Sequence, residues 1–389
     1  MNQYSSIFGQ ILQLFQRWEF QKLVKETKSE RHARGFTSWC QFVSMLFCQL
    51  GRAHSLREIN LGLRTLEGKL VHLGINAPSH SSLAYANEHR PWELYQLIFI
   101  ELLYRCQQAV NIGKHKFRFN NKLMSLDSTV IDLCLSMYDW AHFRRAKGAI
   151  KLHLILDHDG YLPSFAVITE GKVADITIAR QLHFDPGTIV VFDRAYDDYA
   201  LFGHWTDQGV YFVTRSKKNI RYKVVQARDY AGDGYIFDDE IIKLSGHDAF
   251  TKCPHHLRRI RVWDEETDSF YCYLTNNLKL AASTIVAIYK ERWQIETFFK
   301  ALKQNLKIKT FVGTSANAVK IQIWTALIAM LILRFLQLRS KYHWSLSNLV
   351  ACLRFNLLTY RDLWGLLDYP NQTSPPFHEP EQLILNLSG

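Results

Sequence analysis

Cysteine is scarce and irregularly placed in this chain. Seven residues, Cys40, Cys48, Cys106, Cys134, Cys253, Cys272 and Cys352, share no short repeated spacing among 389. An odd, scattered set argues against a disulfide framework or a zinc ribbon and for a reducing compartment. Cys253-Pro-His255-His256 is the single metal-like cluster, and a surface turn is its expected role. Only 9 Pro and 19 Gly, with 48% hydrophobic and 13% aromatic residues, exclude a collagen-like or disordered chain. The most apolar stretch, Ile321 to Leu336, falls short of the roughly 20 residues a bilayer needs. It also carries Gln322 and Arg334, so a buried helix is expected. Met1 to Ser6 lack a basic start followed by an apolar run, so no secretory signal is read. Acidic residues are outnumbered, 36 Asp+Glu against 47 Lys+Arg, for a net charge of +11. Such an excess favours a polyanionic partner, nucleic acid or a membrane surface.

The periodicity divides the chain. Up to about Gly113 it is helical: Ile7, Ile11, Leu12, Leu14, Phe15 and Trp18 form one apolar run, and Trp39 to Leu50 a second. Between them Lys22, Lys25, Lys28, Arg31 and Arg34 recur every third residue. Ser55-Leu-Arg57-Glu58 has the form of a capping box, and Ser79 to Ser82 can cap a further helix. Beyond Lys116 the pattern turns strand-like, with strands expected at Lys122–Ile131, Ala149–Asp157, Leu162–Thr169, Thr188–Phe192 and Val210–Thr214. Helices are expected at Ala174–Leu182 and Tyr199–Asp207. Three meandering strands followed by helix, strand, helix and strand predict a mixed sheet with helices on its faces, the order of ribonuclease-H-like folds. Ser216 to Asp268, with short alternating runs, reads as a β-rich insertion. A strand at Phe270–Thr275 and long helices at Ser283–Leu306 and Ala316–Arg339 follow.

Three places could carry chemistry. Asp127 ends a mostly apolar half-strand; Asp132, an odd number of residues away, must face the other side. Asp193 follows five β-favouring residues, where open α/β sheets present ligand-binding groups. Tyr289, Arg292, Glu296 and Lys303 fall, at about 100° per residue, on a helical stripe roughly 60° wide. That stripe borders the core-facing sector of Ile288, Ile295, Phe299 and Leu306. An Arg292–Glu296 ion pair would account for part of it without any ligand.

Tyr289-x2-Arg292-x3-Glu296-x6-Lys303 resembles the Y-R-E-K signature of insertion-sequence DDE transposases, in particular the insertion-sequence-four family. Leu126-Asp127-Ser128-Thr129, Lys147 to Asp157 and Phe192-Asp193-Arg-Ala-Tyr196 are similar to other parts of that pattern. The resemblance covers about Lys122 to Lys303. It implies an α/β chain with a ribonuclease-H-like mixed-sheet catalytic core interrupted by a β-rich insertion, behind a helical N-terminal domain. The expected segments are 1–115 (helical, DNA-binding), 120–216 (first part of the core), 217–270 (β-rich insertion), 271–340 (second part, with the Glu-bearing helix) and 341–389 (C-terminal).

The resemblance makes Asp127, Asp193 and Glu296 the catalytic, metal-binding carboxylates. An oxygen-only set selects hard ions, so two Mg²⁺ are expected, with Mn²⁺ able to substitute. Tyr289, Arg292 and Lys303 would contact DNA phosphates. Arg144, Arg145, Lys147, Lys217 and Lys218 are further candidates for backbone contacts, as is the Lys22–Arg34 stretch. In the family an aromatic near the preceding strand can stack on a flipped base; Trp263, Tyr271 and Tyr273 lie near that place, with sheet packing as the other role. The implied activity is cleavage at terminal inverted repeats and joining of the 3′-ends to target DNA. Double-stranded DNA would be the partner, a homodimer the synaptic assembly, and the prokaryotic cytoplasm the setting. A ribonuclease-H-like nuclease without strand transfer, and a non-catalytic DNA-binding descendant, are the rival readings.

Overall fold

The computed structural model describes residues 5–31, 33, 35–66, 68–109, 117–133, 142–144, 147–217, 219–228, 234–306, 308 and 311–371. The calls on Arg34, Arg145 and Lys218, and on the side chains of Arg144 and Lys147, fall outside what is described.

Side-chain caps mark where the front helices begin. Ser6 accepts the Gly9 N–H and starts α1 (Ile7–Leu12). α2 (Arg17–Thr27) stops at Lys28, whose φ of 54° is left-handed. This stop breaks the expected basic stripe after Lys25, and the chain turn before α2 leaves Trp18 on an exposed face rather than continuing the α1 run. Thr37 caps α3 (Ser38–Gly51). Ser55 caps α4 (Leu56–Arg64) by accepting the Glu58 N–H, while the Glu58 carboxylate accepts from His54 N–H. Ser79 caps α5 (His80–His89), and α6 (Glu93–Ala109) completes the front.

The sheet then assembles from β1 (Leu123–Leu133), β2 (His142–Arg144), β3 (Lys147–Asp157) and β4 (Leu162–Glu170). After α7 (Asp175–Ala179) come β5 (Ile189–Phe192), α8 (Tyr199–Asp207) and β6 (Tyr211–Arg215). β3 pairs antiparallel with both β1 and β4, whereas β5 lies parallel between β1 and β6. β7 (Tyr222–Ala227), β8 (Ile236–Leu244), α9 (His247–Lys252) and β9 (His256–Asp264) lie in the expected β-rich segment, and β10 (Ser269–Thr275) is the strand expected after it. β10, the expected core strand, pairs with β6, and β9 of the β-rich segment pairs with β10, so the ten described strands make one sheet ordered β2-β3-β1-β5-β6-β10-β9-β8-β7, with β4 beside β3. Within it, Arg258 on β9 grips Asp239 on β8 with Nε–Oδ1 2.7 Å and Nη2–Oδ2 2.6 Å, both side chains buried.

The chain ends in α10 (Ala282–Glu291), α11 (Trp293–Asn305), α12 (Ala316–Arg339), α13 (Leu346–Asn356) and α14 (Leu363–Asp368). Strand alternation divides β5 between two cores. Val190 and Phe192 pack with Phe202 and Trp205 of α8; Ile189 and Val191 pack with Ile285 and Ile288 of α10. A third core is larger and joins the two ends of the chain. It combines α1–α6 with α11–α14 and with Leu152, Leu154 and Leu156 of β3. The Ile7 and Phe8 N–H groups donate to the Thr359 and Leu357 carbonyls, and Gln10 bonds both Arg361 and Leu363. α12 runs through this core, buried without interruption from Ile321 to Leu333, which explains its apolar sequence without a bilayer.

Candidate active site

β1 and β5 position the first two carboxylates. Their parallel register pairs Leu126 with Phe192, so Asp127 and Asp193 follow at corresponding places where the pairing ends. Asp132 is exposed on the other face of β1, as strand alternation requires. The Asp127 Oδ1 accepts the Ser128 N–H at 2.8 Å, and the Asp193 Oδ1 accepts the Ala195 N–H at 2.8 Å. Asp193 thereby caps the 3-10 turn Arg194–Tyr196.

The third carboxylate comes from the helix pair. The predicted single helix is broken at Arg292, between α10 and α11. The Y-R-E-K residues therefore do not ride one continuous cylinder, although the backbone at Arg292 stays near helical (φ −53°, ψ −30°). The short bends Arg292 N–H to Tyr289 O (3.1 Å) and Ile295 N–H to Arg292 O (3.2 Å) absorb the break. The Arg292 Nη1 lies 2.5 Å from Glu296 Oε1 and 3.7 Å from Asp127 Oδ2, so the i,i+4 pair forms and also reaches the sheet. Lys303, about two turns beyond Glu296 on α11, donates to the Val130 carbonyl at 2.9 Å. Asp127, Ser128, Thr129, Glu296, Lys300 and Lys303 line one cleft of about 380 Å³. Asp193 borders a neighbouring cleft of about 500 Å³ with Arg194, Lys217 and Asn219. Tyr289 packs at a tilt of 48° against Tyr273, with ring centroids 4.8 Å apart, and lies beneath the Arg292 guanidinium.

Burial pushes the Asp127 carboxyl up to about 7, and the nearby Asp193 and Glu296 charges add to that shift while Ser128 and Arg292 oppose it. A divalent cation bound beside these carboxylates would favour the charged form of Asp127, as Arg292 does in part. The oxygen-only donors suit a hard divalent ion. Among the described residues, no three carboxylate, histidine or cysteine groups converge closely enough to hold an ion as they stand. The buried Arg292 guanidinium sits between Asp127 and the partly exposed Glu296 and occupies the place where a cation would meet both carboxylates. The donor chemistry thus fits a metal.

One carboxylate escaped the sequence reading. Burial pushes Asp197 up to about 7, beside Asp193, while its Oδ1 accepts from the Thr214 hydroxyl at 3.1 Å. Its position four residues past a strand-end Asp was the available signal. Lys217 donates to the Asp197 carbonyl at 3.0 Å, which holds this expected DNA contact at the mouth of the Asp193 cleft. Of the three aromatics considered for stacking, Tyr273 is buried in packing. Tyr271 lies under Arg215 at 3.7 Å, and Trp263 packs on Phe270. The six described cysteines are free, and Cys253 is buried at the base of a bend whose Pro254 and His256 are exposed.

Residues 119–332 match the family model described as "Transposase DDE domain", and residues 3–76 match "Domain of unknown function (DUF4372)". A protein of Sinorhizobium fredii named as a transposase is 33% identical over 308 residues, covering 77% of this chain and 82% of its own. A second relative, from Geobacillus stearothermophilus, bears a transposase name for insertion sequence element IS5377. It is 26% identical over 280 residues, 71% of this chain and 72% of its own. Among solved structures, a piggyBac transposase synaptic complex with hairpin DNA aligns over 94% of this chain and 81% of its own, with 10% identity and a TM-score of 0.41.

Proposed function

The chain belongs to the DDE transposase family, DNA-cleaving and strand-transferring enzymes of insertion sequences, and from that premise we propose that Asp127, Asp193 and Glu296 are its catalytic carboxylates. The observation that carries this reading is the register of β1 and β5, which sets Asp127 beside Asp193, with Glu296 joined to Asp127 through Arg292. The strand order β4-β3-β1-β5-β6, with β3 alone antiparallel to its neighbour β1, supports a ribonuclease-H-like core. The Y-R-E-K residues support the insertion-sequence-four group within the family.

Divalent ions serve this family, and the all-carboxylate set favours two Mg²⁺, with Mn²⁺ as a substitute. When bound, they supply Lewis-acid stabilisation to the attacked phosphate and its attacking and leaving oxygens. The chain's own residues do the rest. The Ser128 and Ala195 N–H groups fix the two aspartates. Lys303, at the rim of the Asp127 cleft, and Lys217, at that of Asp193, offer point charges to a phosphate backbone. Arg292 is committed to carboxylates here, so a phosphate contact by it requires an exchange of partners, Glu296 leaving as DNA arrives. Tyr289 holds Arg292 from below. Action at two ends of an element calls for a homodimer in the synaptic complex.

Glu296→Gln keeps the size of the side chain and removes its charge. Cleavage of a DNA carrying the element's terminal repeat is expected to fall by about 10³-fold or more, while end binding in a gel shift stays within about twofold. Full Mg²⁺-dependent cleavage by that variant would remove Glu296 from the site.

A further inference from the structure

We propose that Asp175 is a positioning residue for Asp127, acting through Ser128. The inference rests on the reading of Asp127 as a catalytic carboxylate. Register places Ser128 of β1 opposite His153 of β3, and Lys151 lies two residues earlier on the same face. Asp175, the first residue of α7, brings its carboxylate onto all three. Its Oδ1 accepts from the Ser128 hydroxyl at 2.8 Å, pairs with the Lys151 ammonium at 3.1 Å and lies 3.5 Å from the His153 Nδ1. The cationic partner is Lys151, because burial pushes the His153 imidazole down to about 4 and leaves it neutral at neutral pH.

The hub is held from behind. Lys151 also donates to the Val173 carbonyl at 2.7 Å, and the His153 Nε2 meets the Thr169 hydroxyl at 2.9 Å. Ser128 is therefore gripped by its side chain, while its backbone N–H holds Asp127 Oδ1. The second Asp127 oxygen faces Arg292, so each oxygen has its own orienting contact. Tyr196, buried in the turn that Asp193 caps, directs its hydroxyl into the field of Ser128, Asp175, Asp127 and Asp193. The clamp thus lies between the middle of β1, which carries Asp127, and the turn after β5, which carries Asp193. A competing account is that Asp175 only neutralises a half-buried lysine, and the two make opposite demands of a double variant.

Full-length Asp175→Asn, Ser128→Ala, their combination, and Lys151→Met with Asp175→Asn are compared in two ways. Amide hydrogen exchange is followed across residues 125–131 without metal, and Mn²⁺ binding is followed by electron paramagnetic resonance. Each single variant is expected to speed exchange in that segment and to weaken Mn²⁺ binding about tenfold. The Ser128 and Asp175 changes combined should be no worse than either alone, because both break one path. Removing Lys151 along with Asp175 should not restore the segment. Unchanged exchange, additive losses, or restoration by the Lys151 change would overturn the proposal. Should Asp127→Asn bind Mn²⁺ like the parent, the carboxylate reading fails, and the exchange measurement still decides whether Asp175 orders the middle of β1. Ser128→Ala removes no charge and carries both measurements if Asp175→Asn does not fold.

Discussion

The Asp127 carboxyl, buried beside Asp193 and Glu296, keeps its proton up to about pH 7, whereas an unfolded aspartate loses it near 3.9. Between those values the unfolded chain ionises first, so native stability falls as pH rises from about 4 to about 7 and stays reduced above that. Asp127→Asn removes this conflict. We expect the variant to melt above the parent at pH 8, by the equivalent of at least about 1 kcal/mol, and to match it near pH 4. Added Mg²⁺ should narrow the gap at pH 8 by stabilising the parent alone, as read by calorimetry. An equal melting temperature at both pH values would show that Asp127 is not in conflict with its surroundings. Asp127 could be named from its strand position. Its pairing with Arg292 could not, because Arg292 lies far along the chain and only packing brings it to β1. Asp175 and Asp197 were passed over for a similar reason: a helix-start or turn aspartate is ordinary in sequence until its neighbours are known.

At the scale of elements, local signals held where the chemistry is local. The Ser55 and Ser79 caps start α4 and α5 where expected, and α12 spans Ala316–Arg339 around the apolar run that predicts a buried helix. The break at Arg292 was hidden, since Tyr289 to Lys303 contains neither Gly nor Pro. Tertiary contacts accompany it. Glu291, the last residue of α10, accepts from the Tyr161 hydroxyl at 3.2 Å and lies 3.8 Å from His158, whose other ring nitrogen meets Ser125 on β1 at 2.7 Å. These bonds tie the end of α10 to the sheet just before Arg292 turns into the site. α12 has a different task, holding both ends of the chain in one core: Trp324 packs on Phe99 of α6 and stacks beside Trp92. Trp324→Ala should cost about 3–5 kcal/mol. Because the front and rear helices share that core, circular dichroism and tryptophan fluorescence should report one coincident transition. A front portion that remains folded after the rest has melted would contradict this.

For the whole molecule, the net charge of +11 has a stated use in an enzyme that handles DNA. If six to ten phosphates are neutralised, affinity for duplex DNA should drop about 10³- to 10⁵-fold between 50 and 200 mM salt, on a straight log–log line. Fluorescence anisotropy measures this directly, and a flat response would place the excess charge away from the binding surface. Lys217→Gln should lower the slope by about one while affecting all sequences alike.

The sequence alone determined what depends on local pattern and on residue type: a helical front, a mixed sheet, two strand-end aspartates and a signature of four residues at set spacing. Periodicity and chemical character are properties of neighbours in the chain, so they can be read there. Tertiary structure decided what depends on distant segments meeting. The β-rich stretch continues the core sheet because β9 pairs with β10, which itself pairs with β6, a joining of strands that no local pattern displays. The expected N-terminal domain shares its core with the C-terminal helices, because apolar burial is indifferent to distance along the chain. Arg292 links two carboxylates from separate elements, and Asp175 reaches Ser128, only because the sheet register and the helix packing bring them within hydrogen-bonding range.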